Sequence, residues 1–467
     1  MTRSLRGLTE CNNFTYGDVE RLLMVSNRIR WVFCQLEALQ DCLPSSVRRT
    51  LAELPESLDE TYERILREIK RPSRDHARRL LQCLVVAIRP LRVEELAELL
   101  AYDFDATEGG IPKVNPNWRW EDHEQAVLST CSSLIAVVRD GRHRVVQFSH
   151  FSVKEFLTSS RLAISGGDVA HHCISLELAH TLLAQACLGT LLSLDDNAGS
   201  DGSSFLLAEY AARYWVAHAQ VDNVSQRVQA GMQQLFDPSK THLASWIKLD
   251  NPDDYSDRIE VPLIDPIAAS LYYAALCGFR GVVEHLLIKY PGHVDAFGGG
   301  RGAPLHVASS LNRMEVAQIL LERGGDTDVR GNLKQAPLHF AAMKGHLEMV
   351  RLLIDHGAEV DSRREDLWTP LHLAAWNGYA DISQTLLEHK ASTRRPQFLG
   401  TIGAGFHCTG YQDTQVRDVT IRALCRYYWN MVRMWKKQMK KVQRRCTWHH
   451  PMRKQRLFAS YSTMVRM

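Results

Sequence analysis

Between residues 262 and 395 the apolar and polar positions of the chain recur in a fixed order. Ala303-Pro304-Leu305-His306, Ala336-Pro337-Leu338-His339 and Thr369-Pro370-Leu371-His372 return with their prolines 33 residues apart. Each proline suits the first position of a short helix, where its missing N–H has no intrahelical partner to lose. Small residues follow at Ala308, Ala341, Ala342, Ala374 and Ala375, and a second apolar cluster comes later in each unit: Ile319-Leu320-Leu321, then Val350 with Leu352-Leu353, then Ile382 with Leu386-Leu387. The pattern predicts two short helices per unit, packed closely through the alanines and sealed by one continuous apolar seam. An altered copy precedes these three. Leu271 lies 34 residues before Leu305, within Ser270-Leu271-Tyr272-Tyr273-Ala274-Ala275, and Val282, Leu286 and Leu287 supply its second helix. The extra residue fits a turn through Pro291-Gly292.

That period and phrase mark ankyrin repeats, about four of them. The three repeated histidines are expected to hydrogen-bond within or between neighbouring turns. Gly324 and Gly357 sit where a helix runs into the next hairpin and left-handed backbone is cheap for glycine, while Lys390 stands at the corresponding place in the last repeat.

Upstream, apolar residues keep helical spacing in several shorter runs. Val32, Leu36, Leu39 and Leu43 predict a helix ending near Pro44, and Val47, Leu51 and Leu54 a second one ending near Pro55. Ser57-Leu58-Asp59-Glu60 matches a capping box ahead of a helix bearing Tyr62, Ile65 and Ile69. Ala77, Leu80, Leu81, Leu84, Val85 and Ile88 line another before Pro90, and Val93, Leu96, Leu99 and Leu100 a compact one after it. Residues 134–138 and 144–148 read as a β-hairpin across Asp140-Gly141, and Ser152-Val153-Lys154-Glu155 as a second capping box. Helices closed by a hairpin predict a small winged-helix-like domain over residues 44–165. Residues 166–261 then read as a helical bridge, with one face at Leu176, Ala179, Leu182, Leu183 and Ala186 and another at Leu206, Leu207, Tyr210, Ala211, Tyr214 and Trp215. His180 and His218 lie among small and apolar residues and are assigned to packing. The fold class expected is mainly α.

Composition agrees: 45% of the 467 residues are hydrophobic, 23% are charged and the net charge is +3, as for a folded, soluble chain. The eleven cysteines show no repeated Cys-x-x-Cys spacing, which argues against a disulfide framework and a zinc ribbon. No secretory h-region follows Met1, and no run approaches the roughly 18 apolar residues of a membrane span. An intracellular, cytoplasmic protein is expected, with the nucleus as the alternative. Charge is uneven only at residues 396–467, where from Ile421 onward thirteen lysines and arginines meet no aspartate or glutamate. Lys436, Lys437, Lys440, Lys441, Arg444 and Arg445 are the candidates for weak contact with an anionic membrane or RNA. A solvated tail is the other reading.

Catalytic chemistry finds no foothold. There is no His-Glu-x-x-His, no Gly-x-Ser-x-Gly and no Gly-x-x-x-x-Gly-Lys-[Ser/Thr]. Gly298-Gly299-Gly300-Arg301-Gly302 lacks the lysine and hydroxyl of a phosphate loop and reads as a flexible loop between repeats. The second helix of the winged-helix segment carries Glu94, Glu95 and Glu98 and no basic residue, so it would repel a phosphate backbone. Binding residues are instead expected on the ankyrin hairpin tips: Asn332, Lys334 and Gln335 in one, and Glu365, Asp366 and Trp368 in the next. Trp368 can serve as an aromatic anchor for a partner or pack on the neighbouring repeat.

Four longer phrases carry a resemblance. Trp31-Val32-Phe33-Cys34-Gln35-Leu36, then Leu54-Pro55-Glu56-Ser57-Leu58-Asp59-Glu60-Thr61-Tyr62-Glu63-Arg64-Ile65-Leu66, Arg89-Pro90-Leu91-Arg92-Val93-Glu94-Glu95-Leu96 and Val146-Gln147-Phe148-Ser149-His150-Phe151-Ser152-Val153-Lys154-Glu155-Phe156-Leu157 resemble the fungal NACHT-ankyrin proteins, STAND-type signalling NTPases. They match the end of the nucleotide-binding region and the winged-helix segment, over residues 28–165. The resemblance implies a protein in which nucleotide state controls a scaffold and the repeats recognise a partner. It also implies that residues 1–43 are the last part of a NACHT-like region, truncated so that the phosphate loop is absent. The function expected is a non-enzymatic interaction scaffold without cofactor or small-molecule substrate, binding an unidentified protein. The alternative is a regulatory or truncated relative of a nucleotide-driven NACHT ATPase.

Overall fold

The computed structural model describes residues 57–104, 111–131, 133–164, 167–194, 205–253 and 265–392. The helices expected before Ser57 and the basic tail candidates from Lys436 to Arg445 lie outside them. The chain divides into two compact units, one ending at Asp250 and the other holding the repeats.

In the first unit Ser57 caps α1 (Leu58–Glu68), its hydroxyl accepting the Glu60 amide at 3.2 Å as the capping pattern predicts. Then come α2 (Arg74–Val86), β1 (Leu91–Arg92), α3 (Val93–Leu99), β2 (Tyr102–Asp103), β3 (Lys113–Val114) and α4 (His123–Cys131). The hairpin is β4 (Ile135–Asp140) and β5 (His143–Phe148), in a sheet of order β1-β5-β4, so four helices and a wing are in place. Its turn is Gly141-Arg142, with Asp140 opposite His143 and φ of 58° at Gly141, the first central position that favours glycine in a two-residue loop. The helix after it, α5 (Phe151–Leu157), begins earlier than the expected capping box. His150 is the cap, its ring nitrogen accepting the Ser152 amide, and Ser152 is hydrogen-bonded to Tyr62 at 2.8 Å instead.

α6 (Ser160–Ile164) and α7 (Gly167–Ala170) lead to α8 (Leu176–Leu192), α9 (Ala208–Ala219), α10 (Val224–Arg227), α11 (Gln229–Leu235) and α12 (His242–Leu249). These helices share a core with the winged-helix segment rather than forming a separate bridge. α8 packs on both α2 and α9. The Tyr102 hydroxyl meets Thr190 at 2.5 Å, the Ile88 amide donates to the Tyr210 hydroxyl, and Trp246 donates to the Ala212 carbonyl at 2.8 Å. His218 is buried between Tyr210 and His180, 2.9 Å from each, a packing role for both histidines.

The second unit stacks four helix pairs: α13 (Pro266–Cys277) with α14 (Arg280–Lys289), α15 (Pro304–Ser310) with α16 (Met314–Glu322), α17 (Pro337–Lys344) with α18 (Leu347–Asp355), and α19 (Pro370–Asn377) with α20 (Ala380–Glu388). Each first helix packs on the next first helix, and leucines 271, 305, 338 and 371 are all buried in that seam. Lys390 adopts φ of 66°, repeating the left-handed turn of Gly324 and Gly357 without glycine's freedom.

The repeated histidines hold neighbouring repeats in register. Nδ1 of His306, His339 and His372 accepts the amide three residues earlier at 3.0 to 3.2 Å, closing the start of its own helix. Nε2 then donates forward: from His306 to the Gln335 carbonyl at 2.9 Å and from His339 to the Trp368 carbonyl at 3.2 Å. The geometry requires the neutral ring with its proton on Nε2, because a protonated Nδ1 would face a backbone donor. Burial accordingly pushes the pKa of both His306 and His339 down to about 4.

The glycine-rich stretch is a buried turn, not a flexible loop. Gly298 lies against the Ala268 backbone and Gly299 against the Tyr272 ring, so close that a side chain at either would collide. Asp253, fully buried, accepts from the Gly300 amide at 3.0 Å, the Tyr272 hydroxyl at 2.7 Å and Arg301 Nη1 at 2.5 Å. Burial and the facing carboxylate push the Tyr272 pKa far up, which keeps its hydroxyl a donor.

Two outcomes are expected. Asp253→Ala should destabilise the repeats by about 3–5 kcal/mol in urea unfolding, because it takes a buried carboxylate from the Arg301 guanidinium, the Tyr272 hydroxyl and the Gly300 amide at once; a loss under about 1 kcal/mol would remove the pair from the core of this unit. His306 and His339 take up a proton more readily in the unfolded chain than in the folded one, so repeat stability should be complete above the unfolded pKa of about 6.5 and fall as pH drops towards about 4. Each histidine contributes on the order of 3 kcal/mol at most. Protection of repeat amides against hydrogen exchange at pH 7 and pH 4.5 measures it, and equal protection would contradict the neutral-ring assignment.

Candidate functional site

The hairpin tips project successive loops along one edge of the repeat stack, and backbone contacts tie them together. Asn332 Nδ2 donates to the Gly300 carbonyl at 2.7 Å, joining the first tip to the second, and the Glu365 amide donates to the Leu333 carbonyl at 2.9 Å, joining the second to the third. Leu333 and Lys334 both take φ of 56°, and Leu367 takes 68°, left-handed values that cost a side chain with Cβ about 1 kcal/mol or more. These bonds hold the second tip in that conformation, with Leu333 52% exposed and Lys334 pointing to solvent. On the preceding tip Phe297 is 53% exposed.

The predicted contact residues separate by role. Lys334 and Glu365 are exposed, as expected of contact residues. Gln335 is a correction: its side chain is 3% exposed, and its carbonyl receives both His306 Nε2 and the Gly331 amide. It belongs to the repeat interface because the histidine staple needs that carbonyl turned inward. Asn332 works mainly as the tie between tips. Asp366 is engaged by Arg364 through two bonds of 2.6 and 2.5 Å and accepts the Trp368 amide, and these bonds hold its pKa below the usual carboxylate range despite partial burial. It is not a free acid beside the tryptophan.

Trp368 is half-buried, and its ring meets a side chain of its own repeat where the neighbouring one was expected. Its ring meets Trp376 edge-on, with centroids 5.4 Å apart, and the Arg364 guanidinium lies 5.9 Å from its centroid. The result is an aromatic and cationic cluster at the base of the tip whose Glu365 amide is bonded to the Leu333 carbonyl. Sequence reasoning missed Leu333, Phe297 and Trp376; the only signal for Leu333 was an apolar residue inside a polar turn.

In the first unit the helix weighed for DNA reading is unavailable for another reason than charge repulsion. α3 is buried along its length, and Glu95 and Glu98 are each 1–2% exposed. Arg89 pairs with Glu95 through bonds of 2.8 and 2.6 Å, and Arg119 engages Glu98 through both of its oxygens. Beside them an open groove of about 1010 Å³ is lined by Ile65, Ile69, Lys70, His76, Trp118 and Trp120. No group of three or more His, Cys, Asp or Glu side chains suited to a metal occurs among the described residues. No helix among them is long and apolar enough to cross a membrane.

Comparison with known proteins matches this architecture in two places. Ankyrin repeats, in three copies, match residues 305–396, and the winged helix domain of GPI inositol-deacylase matches residues 62–166. The chain is also 29% identical over 293 residues to the azaphilone pigments biosynthesis cluster protein L of Monascus ruber, a match covering 58% of this chain and 59% of that protein. The chain thus spans about three fifths of the relative's length. It carries ankyrin repeats behind a winged helix domain of the GPI inositol-deacylase type, and repeats of this kind imply a protein partner.

Proposed function

We propose that this protein is a non-enzymatic scaffold whose ankyrin tips bind another protein, while the winged-helix unit anchors or transmits that contact. One observation carries the proposal: Leu333 and Lys334 stand exposed in left-handed backbone that hydrogen bonds from both neighbouring tips hold in place. A strained, exposed apolar residue held by bonds to both neighbouring tips suits a contact point that is ordered before the partner arrives. A cytoplasmic location fits the buried thiols of Cys83 and Cys187, which form no disulfide. Lys436, Lys437, Lys440, Lys441, Arg444 and Arg445 add a weak contact with anionic membrane or RNA.

The winged-helix match supports one other reading, that of a regulatory relative of a nucleotide-driven NACHT ATPase, acting on a second protein through its first unit. Calorimetry separates the two: stoichiometric ATP or GTP binding by this chain favours the second, and none is expected under the first.

Affinity capture from the source cytosol, with the wild-type chain and the double variant Leu333→Asp, Trp368→Ala, tests the tip surface. The variant should lose captured protein about tenfold or more while its repeats melt as before. Full retention would move the binding surface elsewhere. Deleting residues 421–467 should lower binding to anionic vesicles or to RNA; unchanged binding to both would discard the tail contact.

A further inference from the structure

The sheet of the first unit ends at β4, and the outer edge of that strand is open. In the order β1-β5-β4 it pairs on one side only. The Ser149 amide donates to the Leu134 carbonyl at 3.0 Å, which places Leu134, Ala136, Val138 and Asp140 in the set bonded towards β5. The amides and carbonyls of Ile135, Val137 and Arg139 therefore face outward, and among the described residues nothing meets them. The strand is apolar along Ile135-Ala136-Val137-Val138, with Val138 39% exposed.

The wing tip beyond this edge is cationic. Arg139, Arg142, His143 and Arg144 are all exposed, and Arg139 lies directly across the ladder from Arg144. Like charges opposite one another destabilise a hairpin. Of these four, Arg144 alone has an ion pair among the described residues, with Glu124. Such an edge is protected against a second copy of itself, since two wings would bring their arginines together. The same charges attract an acidic strand.

We propose that β4 takes a fourth strand from another protein: an extended segment alternating acidic with β-branched apolar residues. Main-chain bonds to Ile135, Val137 and Arg139 would supply affinity, and Arg139 and Arg142 would select for acid. A nucleic acid fits less well, because it has no use for an open ladder of amides and carbonyls, and α3 is buried. The site is independent of the ankyrin tips, so either can fail alone.

Fluorescence anisotropy of a labelled Glu-Val-Glu-Val-Glu-Val-Glu peptide with the full chain tests it. Saturable binding is expected, weakened about tenfold or more by Arg139→Glu with Arg142→Glu, and similarly by Val137→Pro, which removes one outward N–H and leaves the β4-β5 ladder intact. The peptide methylated on alternate amides should also lose binding, an arm that does not depend on any variant folding. No binding up to about 1 mM, equal binding of the methylated peptide, or tighter binding of a labelled DNA duplex or RNA strand would each overturn the proposal.

Discussion

The second ankyrin repeat is held to the third, and the third to the fourth, by the hydrogen bond that a buried, neutral histidine donates forward into the following hairpin. A helix pair of this size cannot bury its apolar face alone, so its neighbours must be positioned before the seam closes. His306 and His339 do this with one ring each, closing their own helix start through Nδ1 and the next tip through Nε2. The tips inherit their geometry from those bonds. Gln335 turns inward because its carbonyl is an acceptor, and Leu333 and Lys334 are displayed because Gln335 is not.

The first unit solves a different problem with charge. α3 holds two glutamates that a solvent-facing helix would simply hydrate, yet here Glu95 and Glu98 sit inside, each clasped by an arginine from outside the helix. Removing either arginine would leave an uncompensated buried carboxylate, a larger loss than the net value of the pair. The helix that reads DNA in other winged-helix proteins is spent here on packing. What the fold leaves exposed is the wing, so its fold alone says little about its function.

The repeat period, the capping serine at position 57 and the hairpin were legible in the sequence because each depends on residues close together in the chain. Misreadings arose where a distant group decides the outcome. The glycine stretch looked flexible, but Gly299 is needed for the Tyr272 ring, and Arg301 for the carboxylate of Asp253. The glutamates of the acidic helix were read only as repelling phosphate because nothing local announces Arg119 as the partner of Glu98. His150 was overlooked as a cap because histidine is not among the usual capping residues. Among the tip candidates, Lys334 and Glu365 were readable as exposed turn residues, whereas the inward turn of Gln335 depends on a ring 29 residues earlier.

Asp253 also determines how the repeat stack would bear load. The chain leaves α12 at Leu249 and within a few residues is fastened by that carboxylate to Arg301, Gly300 and Tyr272. Tension applied along the backbone from the amino-terminal side reaches the stack at this clamp, before it reaches the start of α13 at Pro266. The load is then shared between α13, through Tyr272, and the turn at Gly300 and Arg301, across three hydrogen bonds at once, where an unclamped end would peel away one turn at a time.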